Sequence, residues 1–199
     1  RKIDTILISH GDMDHIGEYF KIIKYFSVDN IYLNSNQLNS IEKRVVTNSM
    51  SNNINIARLK RGDSLYLGNF NFLVINNNFT DENDASTVLF GMIYSSKLLL
   101  MGDASVRSEQ DIISSYNLPK IDILKVGHHG SNTSSSKKFI DEINPKYSLI
   151  SVGENNRYGH PKKSVLNTLS KSKIYRTDKD GDIEVEFNNK GYNIRTCSP

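Results

Sequence analysis

All five histidines of this chain, His10, His15, His128, His129 and His160, lie in short polar segments that contain glycine and shortly follow apolar runs. This placement constrains the fold more than any other feature. If the apolar runs are strands, their ends carry the imidazoles, and strand ends are where α/β sheets gather their reactive groups. The chain is therefore expected to carry its chemistry on loops between strands and helices.

The periodicity agrees. Ile3 to Ser9 reads as a buried strand, and Ile16, Phe20, Ile23 and Phe26 recur at helical spacing. Asp29-Asn30 reads as a turn before a short strand, Ile31 to Leu33, and the Asn- and Ser-rich stretch 34–58 as little more than a weak helix over 37–47. Leu65 to Leu67, Phe70 to Ile75, Thr87 to Tyr94 and Lys97 to Met101 read as a meander, turning at Gly68-Asn69 and Ser95-Ser96. Helices around Ile112 and around Ile140 then alternate with strands Ile121 to Val126 and Tyr147 to Val152. Pro161 suits the first position of a helix carrying Val165 and Leu169. Strands Lys173 to Arg176 and Ile183 to Phe187 close the pattern, and no repeat or linker interrupts it. Strands with interleaved helices mean a layered α/β or α+β fold, expected as one domain over 1–199.

Composition narrows the chemistry. The single cysteine, Cys197, excludes an internal disulfide and a thiolate metal site, so any metal must use imidazole and carboxylate. A net charge of +3 permits a polyanionic substrate without demanding one. No apolar run is long enough to span a bilayer, and no signal peptide is visible. The chain opens on Arg1-Lys2-Ile3-Asp4 with no initiator Met, and is expected to be a piece of a longer protein.

Four segments carry the candidate chemistry. In His10-Gly11-Asp12-Met13-Asp14-His15, positions 10, 12 and 14 would share one side of an extended or turning backbone, with His15 free for a second centre. Asp14 could instead cap a helix, but four such groups this close would repel and desolvate badly without a cation. Leu100-Met101-Gly102-Asp103 is an apolar strand that delivers one carboxylate, either a turn former or a bridging ligand. Gly127-His128-His129-Gly130-Ser131 frames a histidine pair with glycines. Ser131 and its neighbours could hydrogen-bond a phosphate, or Ser135 or Ser136 could merely cap the next helix. Residues 153–161 place Arg157, Tyr158 and His160 between a strand and a helix start, where anions are favoured.

Together these motifs resemble the metallo-β-lactamase superfamily, whose signature is His-x-His-x-Asp-His. Here Asp12 replaces the second histidine, which resembles the hydrolase domain of competence DNA-uptake proteins of the ComEC type. Segments 100–103, 126–131, 155–161 and 175–178 with 180–181 also resemble it, so the likeness runs from residue 3 to about 187. The resemblance implies an αββα sandwich. Family members begin with further strands that are missing here, so one sheet is expected to be incomplete. Many also carry a ligand histidine between the first cluster and the bridging aspartate. This chain has none between 15 and 128, and Asn83-Asp84-Ala85-Ser86 stands where an oxygen or a water would have to serve.

The resemblance implies a hydrolase with two divalent cations held by His10, Asp12, Asp14, His15, Asp103, His128 and His160. Asp103 would be shared, and Asp14, His129 and His160 would move protons. Ser131, Asn83, Arg157 and Tyr158 would bind substrate. Asp12 in place of histidine makes the site harder, moving preference from zinc towards manganese. The implied substrate is DNA, single-stranded above all, and the parent a bacterial membrane channel with this part as an extracytoplasmic, membrane-free appendage. Rival readings are a small phosphodiester, RNA or cell-wall phosphocholine as substrate, or a DNA-gripping module without catalysis. A β-lactamase fits worst, because the His-x-His spacing is absent.

Overall fold

The computed structural model describes residues 1–34, 36–76 and 79–197. Three parallel strands come first: β1 (Lys2–Leu7), β2 (Ser27–Asn34) and β3 (Asn55–Leu59), in the order β1-β2-β3. Helices α1 (Met13–Ile16), α2 (Tyr19–Tyr25) and α3 (Ser40–Ser51) connect them. A seven-stranded sheet follows, ordered β10-β9-β8-β7-β6-β5-β4. Its strands are β4 (Ser64–Leu67), β5 (Phe70–Val74), β6 (Leu89–Ile93), β7 (Ser96–Leu100), β8 (Ile123–Lys125), β9 (Tyr147–Ile150) and β10 (Lys173–Arg176). β4 to β7 pair antiparallel as a meander. β7 to β10 pair parallel, with α4 (Val106–Ser115), α5 (Lys137–Ile143) and α6 (Lys163–Thr168) on the crossovers. A short α7 (Thr177–Asp180) leads into an antiparallel hairpin, β11 (Asp182–Asn188) and β12 (Gly191–Cys197).

Side-chain alternation builds the layers. On β7, Leu98 and Leu100 point into the space between the two sheets while Leu99 points to the helices, so an unbroken leucine run is covered on both faces. Between the sheets, Leu7, Tyr32 and Leu59 meet Leu65, Phe72, Val74 and Ile123, and the hairpin closes this space with Val185, Phe187 and Tyr192. Ile31 and Leu33 face the other way, against Ile16, Tyr19 and Val45 of the first three helices. Ile112, Phe139, Ile143 and Val165 cover the outer face of the large sheet. Helices, sheet, sheet, helices: the chain is the expected αββα sandwich. Among the described residues no helix is long and apolar enough to cross a membrane.

The structure corrects several local expectations. Asp29-Asn30 is not a turn but lies inside β2, where Asn30 pairs with both neighbours and its Nδ2 donates to the Asp4 carbonyl at 2.9 Å. An Asn that finds a backbone partner across the sheet loses its bias towards turns. The weak helix of the 34–58 stretch is a full three turns, started by a capping box in which Asn39 accepts from the backbone of Glu42 and Glu42 accepts from the backbone of Asn39. Pro161 precedes α6 rather than opening it. Strands β3 and β12 have no counterpart in the sequence reading.

Candidate metal centre

The C-terminal ends of β1 in the small sheet and of β7 to β10 in the large one meet at one rim, and the loops they release hold every histidine. β1 runs out through Ile8 and Ser9 into His10, and the chain then enters α1, so Asp14 and His15 project from a helical turn instead of alternating along an extended strand. β7 releases Gly102-Asp103, and β8 releases a single 3-10 turn, Gly127–Gly130. Gly102 has φ +54, and a Cβ there would stand 2.8 Å from the Ser86 Cβ; only glycine lets the Asp103 turn come this close.

His128 and His129 both take left-handed backbone, at φ 47 and 52. Each left-handed L-residue costs about 1–2 kcal/mol, and two in succession survive only where the surroundings fix them. The clamp is visible. Glu109 of α4, almost fully buried, accepts the backbone N–H groups of Ser135 and Ser136 just beyond the turn. Ser134 Oγ donates to the Gly127 carbonyl at 2.8 Å.

Asp103 is 3% exposed and stands at the middle. Its Oδ1 lies 3.2 Å from His15 Nε2, in ion-pair range. Its Oδ2 lies 3.5 Å from His129 Nε2, 3.9 Å from His128 Nε2 and 4.0 Å from His10 Nε2. Four imidazole nitrogens thus face one carboxylate with a gap between them. Two ligands at tetrahedral angles around zinc sit about 3.3 Å apart, so this spacing is what a cation needs. Ligand atoms of Asp14, His15, Asp103 and His129 all lie within 4.8 Å of one another. His10 is wholly buried, its Nε2 has no partner, and Asp12 approaches it at 3.7 Å. Buried acceptors and imidazoles left without partners are costly unless something joins them. The donor set fits a divalent metal.

The electrostatics support neutral imidazole beside ionised carboxylate. Burial, first, and then the charge of His15 push the His10 pKa down to about 4. Burial pushes the Asp103 carboxyl up, but His15 beside it, then His129 and Lys125, outweigh that and hold it below the usual carboxylate range. Unfolded His10 titrates near 6.5, folded His10 near 4, so the folded state binds fewer protons between those values. Its stabilising share is complete above pH 6.5 and falls away by pH 4, on the order of 3 kcal/mol in all. Asp103, also depressed, extends the loss to lower pH. Urea unfolding of the metal-free protein should therefore weaken more from pH 7 to pH 5 than unfolding of His10→Gln; equal losses would refute the assignment.

A cleft of about 560 Å³ opens on this centre, lined by Asp12, Asp14, Asp103, His128, His129 and His160 on one side and by Ser151, Asn156, Tyr158 and Thr177 among others. His160 stands behind His128, ring centres 6.0 Å apart. Its pKa is lowered, by burial first and then by Lys162, His128 and His129. Asn156, a motif residue to which the sequence assigns no role, holds it: Oδ1 accepts from His160 N at 2.9 Å and Nδ2 donates to His160 O at 2.8 Å. Tyr158 is exposed at the rim with its ring roughly parallel to that of His160, and the Arg157 guanidinium lies 4.7 Å above it.

Of the four residues expected at the substrate only Tyr158 lines the cleft; Arg157 lies over the Tyr158 ring outside that lining, and Ser131 and Asn83 are set away from it. Ser131 is buried beneath the turn, where its Oγ accepts from Thr133 N and Oγ1, and Thr133 Oγ1 lies 3.1 Å from His128 Nδ1. Ser131 is thus two bonds behind a histidine rather than in front of it. Asn83 sits in a turn closed by Asp81, with its own Oδ1 buried. The segment expected to supply a missing oxygen supplies none directly: Asp84 bonds Ser105 and Ser108 at the start of α4, and Ser86 lies behind His10. Conversely, His129 joins the tight cluster, although the sequence reading gave it only a proton-moving role. The sequence shows the His-His pair but not that the turn aims both Nε2 atoms at Asp103, His129 the nearer.

The family model of the metallo-beta-lactamase superfamily matches residues 1–154. ComE operon protein 3 of Bacillus subtilis (strain 168) is 32% identical over 196 residues, covering 96% of this chain and 25% of that protein. Competence protein ComA of Neisseria gonorrhoeae is 37% identical over 108 residues, 52% of this chain and 16% of that protein. The chain thus spans a quarter or less of the length of these relatives. Among solved structures, the metallo-beta-lactamase fold protein YhfI of Bacillus subtilis superposes with a TM-score of 0.59 at 13% identity, covering 87% of this chain and 74% of that one, a likeness of fold. Since the family match takes in residues 1–154 of 199, and with them Asp103 and four of the five histidines, the chain belongs to the metallo-beta-lactamase superfamily.

Proposed function

We propose that this chain is a divalent-metal-dependent phosphodiesterase that cleaves DNA, single strands above all, in the course of DNA uptake. One observation carries the reading: four imidazoles converge on the buried Asp103 carboxylate at 3.2–4.0 Å, at the floor of an open cleft. Asp14, His15, Asp103 and His129 would hold one cation. His10, Asp12 and the shared Asp103, with His128 and His160 beside them, would hold a second, manganese or zinc. Such ions supply a nucleophile from water at neutral pH and positive charge against phosphate oxygens.

The chain's own groups do the rest. Asp14, at the cleft mouth with Oδ2 3.1 Å from His129 Nε2, can accept a proton from the attacking water. The lowered pKa of His160 keeps its ring neutral at pH 7, which suits a ligand or a proton acceptor better than a donor. Arg157 can pair with a phosphate at the rim, and Tyr158 offers a ring for a base that an unpaired strand leaves open. The competence relatives favour DNA as the polyanion. Under the same reading the chain is the extracytoplasmic part of a longer membrane protein.

The test uses protein stripped of metal and labelled single-stranded DNA, with manganese, zinc or magnesium added back and Asp103→Asn as control. Cleavage restored by metal in the wild type alone is the expected result. Binding of DNA with no cleavage under any metal would overturn it in favour of a gripping module.

A further inference from the structure

His129 has its tautomer settled. Its Nδ1 lies 2.7 Å from the Ser151 carbonyl, an acceptor with no proton of its own, so Nδ1 carries the proton and Nε2 is left bare towards Asp103. Among the described residues no carbonyl stands at Nδ1 of His10 or His15, and His15 Nε2, 3.2 Å from the bare His129 Nε2, carries the proton of that contact as long as no cation takes its place. Behind both stands one hydroxyl: Ser9 Oγ lies 3.1 Å from His10 Nδ1 and 3.3 Å from His15 Nδ1. A second hydroxyl, Ser86 Oγ, lies 3.3 Å from His10 Nδ1 and accepts the Asp103 backbone N–H at 2.9 Å.

A hydroxyl donates one proton and accepts two, so each serine can face an imidazole in either sense. The senses are not equivalent in front of the ring. If a serine donates to Nδ1, a neutral ring must carry its proton on Nε2, aimed at Asp103 where a cation would sit. If the serine accepts, Nδ1 holds the proton and Nε2 is free. One Ser9 oxygen can accept from both rings at once only if it donates elsewhere, and Ser86 relieves it of His10.

We propose that Ser9 and Ser86 are positioning residues for the metal centre, a hydroxyl pair that accepts the Nδ1 protons of His10 and His15 when a cation takes their Nε2 atoms, and so holds both rings as Nε2 ligands. Ser86 also ties the Asp103 turn to His10 through its own oxygen. This rests on the metal-binding reading above, and not on DNA as substrate. It explains what the segment 83–86 does in a chain with no histidine there: it holds ligands from behind. Outer partners of this kind set metal affinity by about 10–100-fold.

The experiment titrates manganese or zinc alone into the metal-free protein by calorimetry, for wild type, Ser9→Ala, Ser86→Ala and Ser9→Thr. The expected result is affinity about 10–100-fold weaker in each alanine variant and recovery in Ser9→Thr, which keeps the hydroxyl. Long-range proton–nitrogen NMR of zinc-loaded wild type should show His10 and His15 protonated at Nδ1 and metal-bound at Nε2. Alanine variants that bind within twofold of wild type, or wild-type rings protonated at Nε2, would overturn the proposal. The NMR result decides it even if an alanine variant does not fold. Failure of the wild type to bind any metal would instead defeat the metal reading itself.

Discussion

Asp103→Asn is expected to lower metal-dependent phosphodiester cleavage by about a thousandfold or more. Among the described residues the carboxylate is the one group that faces His10, His15, His128 and His129 together, through two different oxygens. An amide of the same shape keeps the backbone bond from Asp103 N to Ser86 Oγ but carries no charge, and its NH2 meets bare imidazole nitrogens. Losing one anionic ligand from a catalytic metal centre removes several kcal/mol of transition-state stabilisation, and about 4 kcal/mol is three orders of magnitude. The measurement is kcat/KM on labelled DNA at saturating metal. A loss of less than tenfold would mean that Asp103 is no ligand and that the centre lies elsewhere.

His129→Gly should separate stability from function in opposite directions. Glycine adopts φ 52 without a steric penalty, so the substitution releases about 1–2 kcal/mol of left-handed strain. Greater freedom in the unfolded chain takes back about 0.5–1 kcal/mol. The Ser151 carbonyl that loses its imidazole partner sits beside an open cleft and can take water instead. The metal-free variant should thus unfold at the same or higher urea concentration, gaining up to about 1.5 kcal/mol. Cleavage should meanwhile fall by at least a hundredfold, about 2.7 kcal/mol, through loss of a ligand from the tight cluster. Destabilisation by more than about 1 kcal/mol would show that the turn is not strained in this way.

The sequence displayed the chemistry more fully than the scaffold. Apolar runs ending in His or Asp-bearing loops located the rim correctly, because strands buried on both faces, such as β7, write themselves as unbroken leucine. β3 escaped because it is an edge strand in which only Leu59 is buried, so Asn55 and Arg58 hide its period. β12 escaped for the same reason: one side of Gly191–Cys197 faces water, and its partner is a local hairpin, not the core sheet. Within the site, residue types were legible and directions were not. Nothing in Gly-His-His-Gly states that both histidines are left-handed, which decides how each ring is aimed. Ser9, Ser86 and Asn156 carry no signal of their own, since a serine or asparagine in a loop is commonplace and only its neighbours in space make it a holder of histidines.

The two sheets divide the chain at a single point. Every strand of the small sheet comes from residues 2–59, and every strand of the large one from 64–176. His10, Asp12, Asp14 and His15 belong to the first stretch; Asp103, His128, His129 and His160 belong to the second. A nick between Leu59 and Ser64 would leave each piece with all its own strand pairings and half of a ligand set. Such a split protein would be a reporter: divalent metal should drive the two pieces together, and reassembly would be read directly as recovered cleavage.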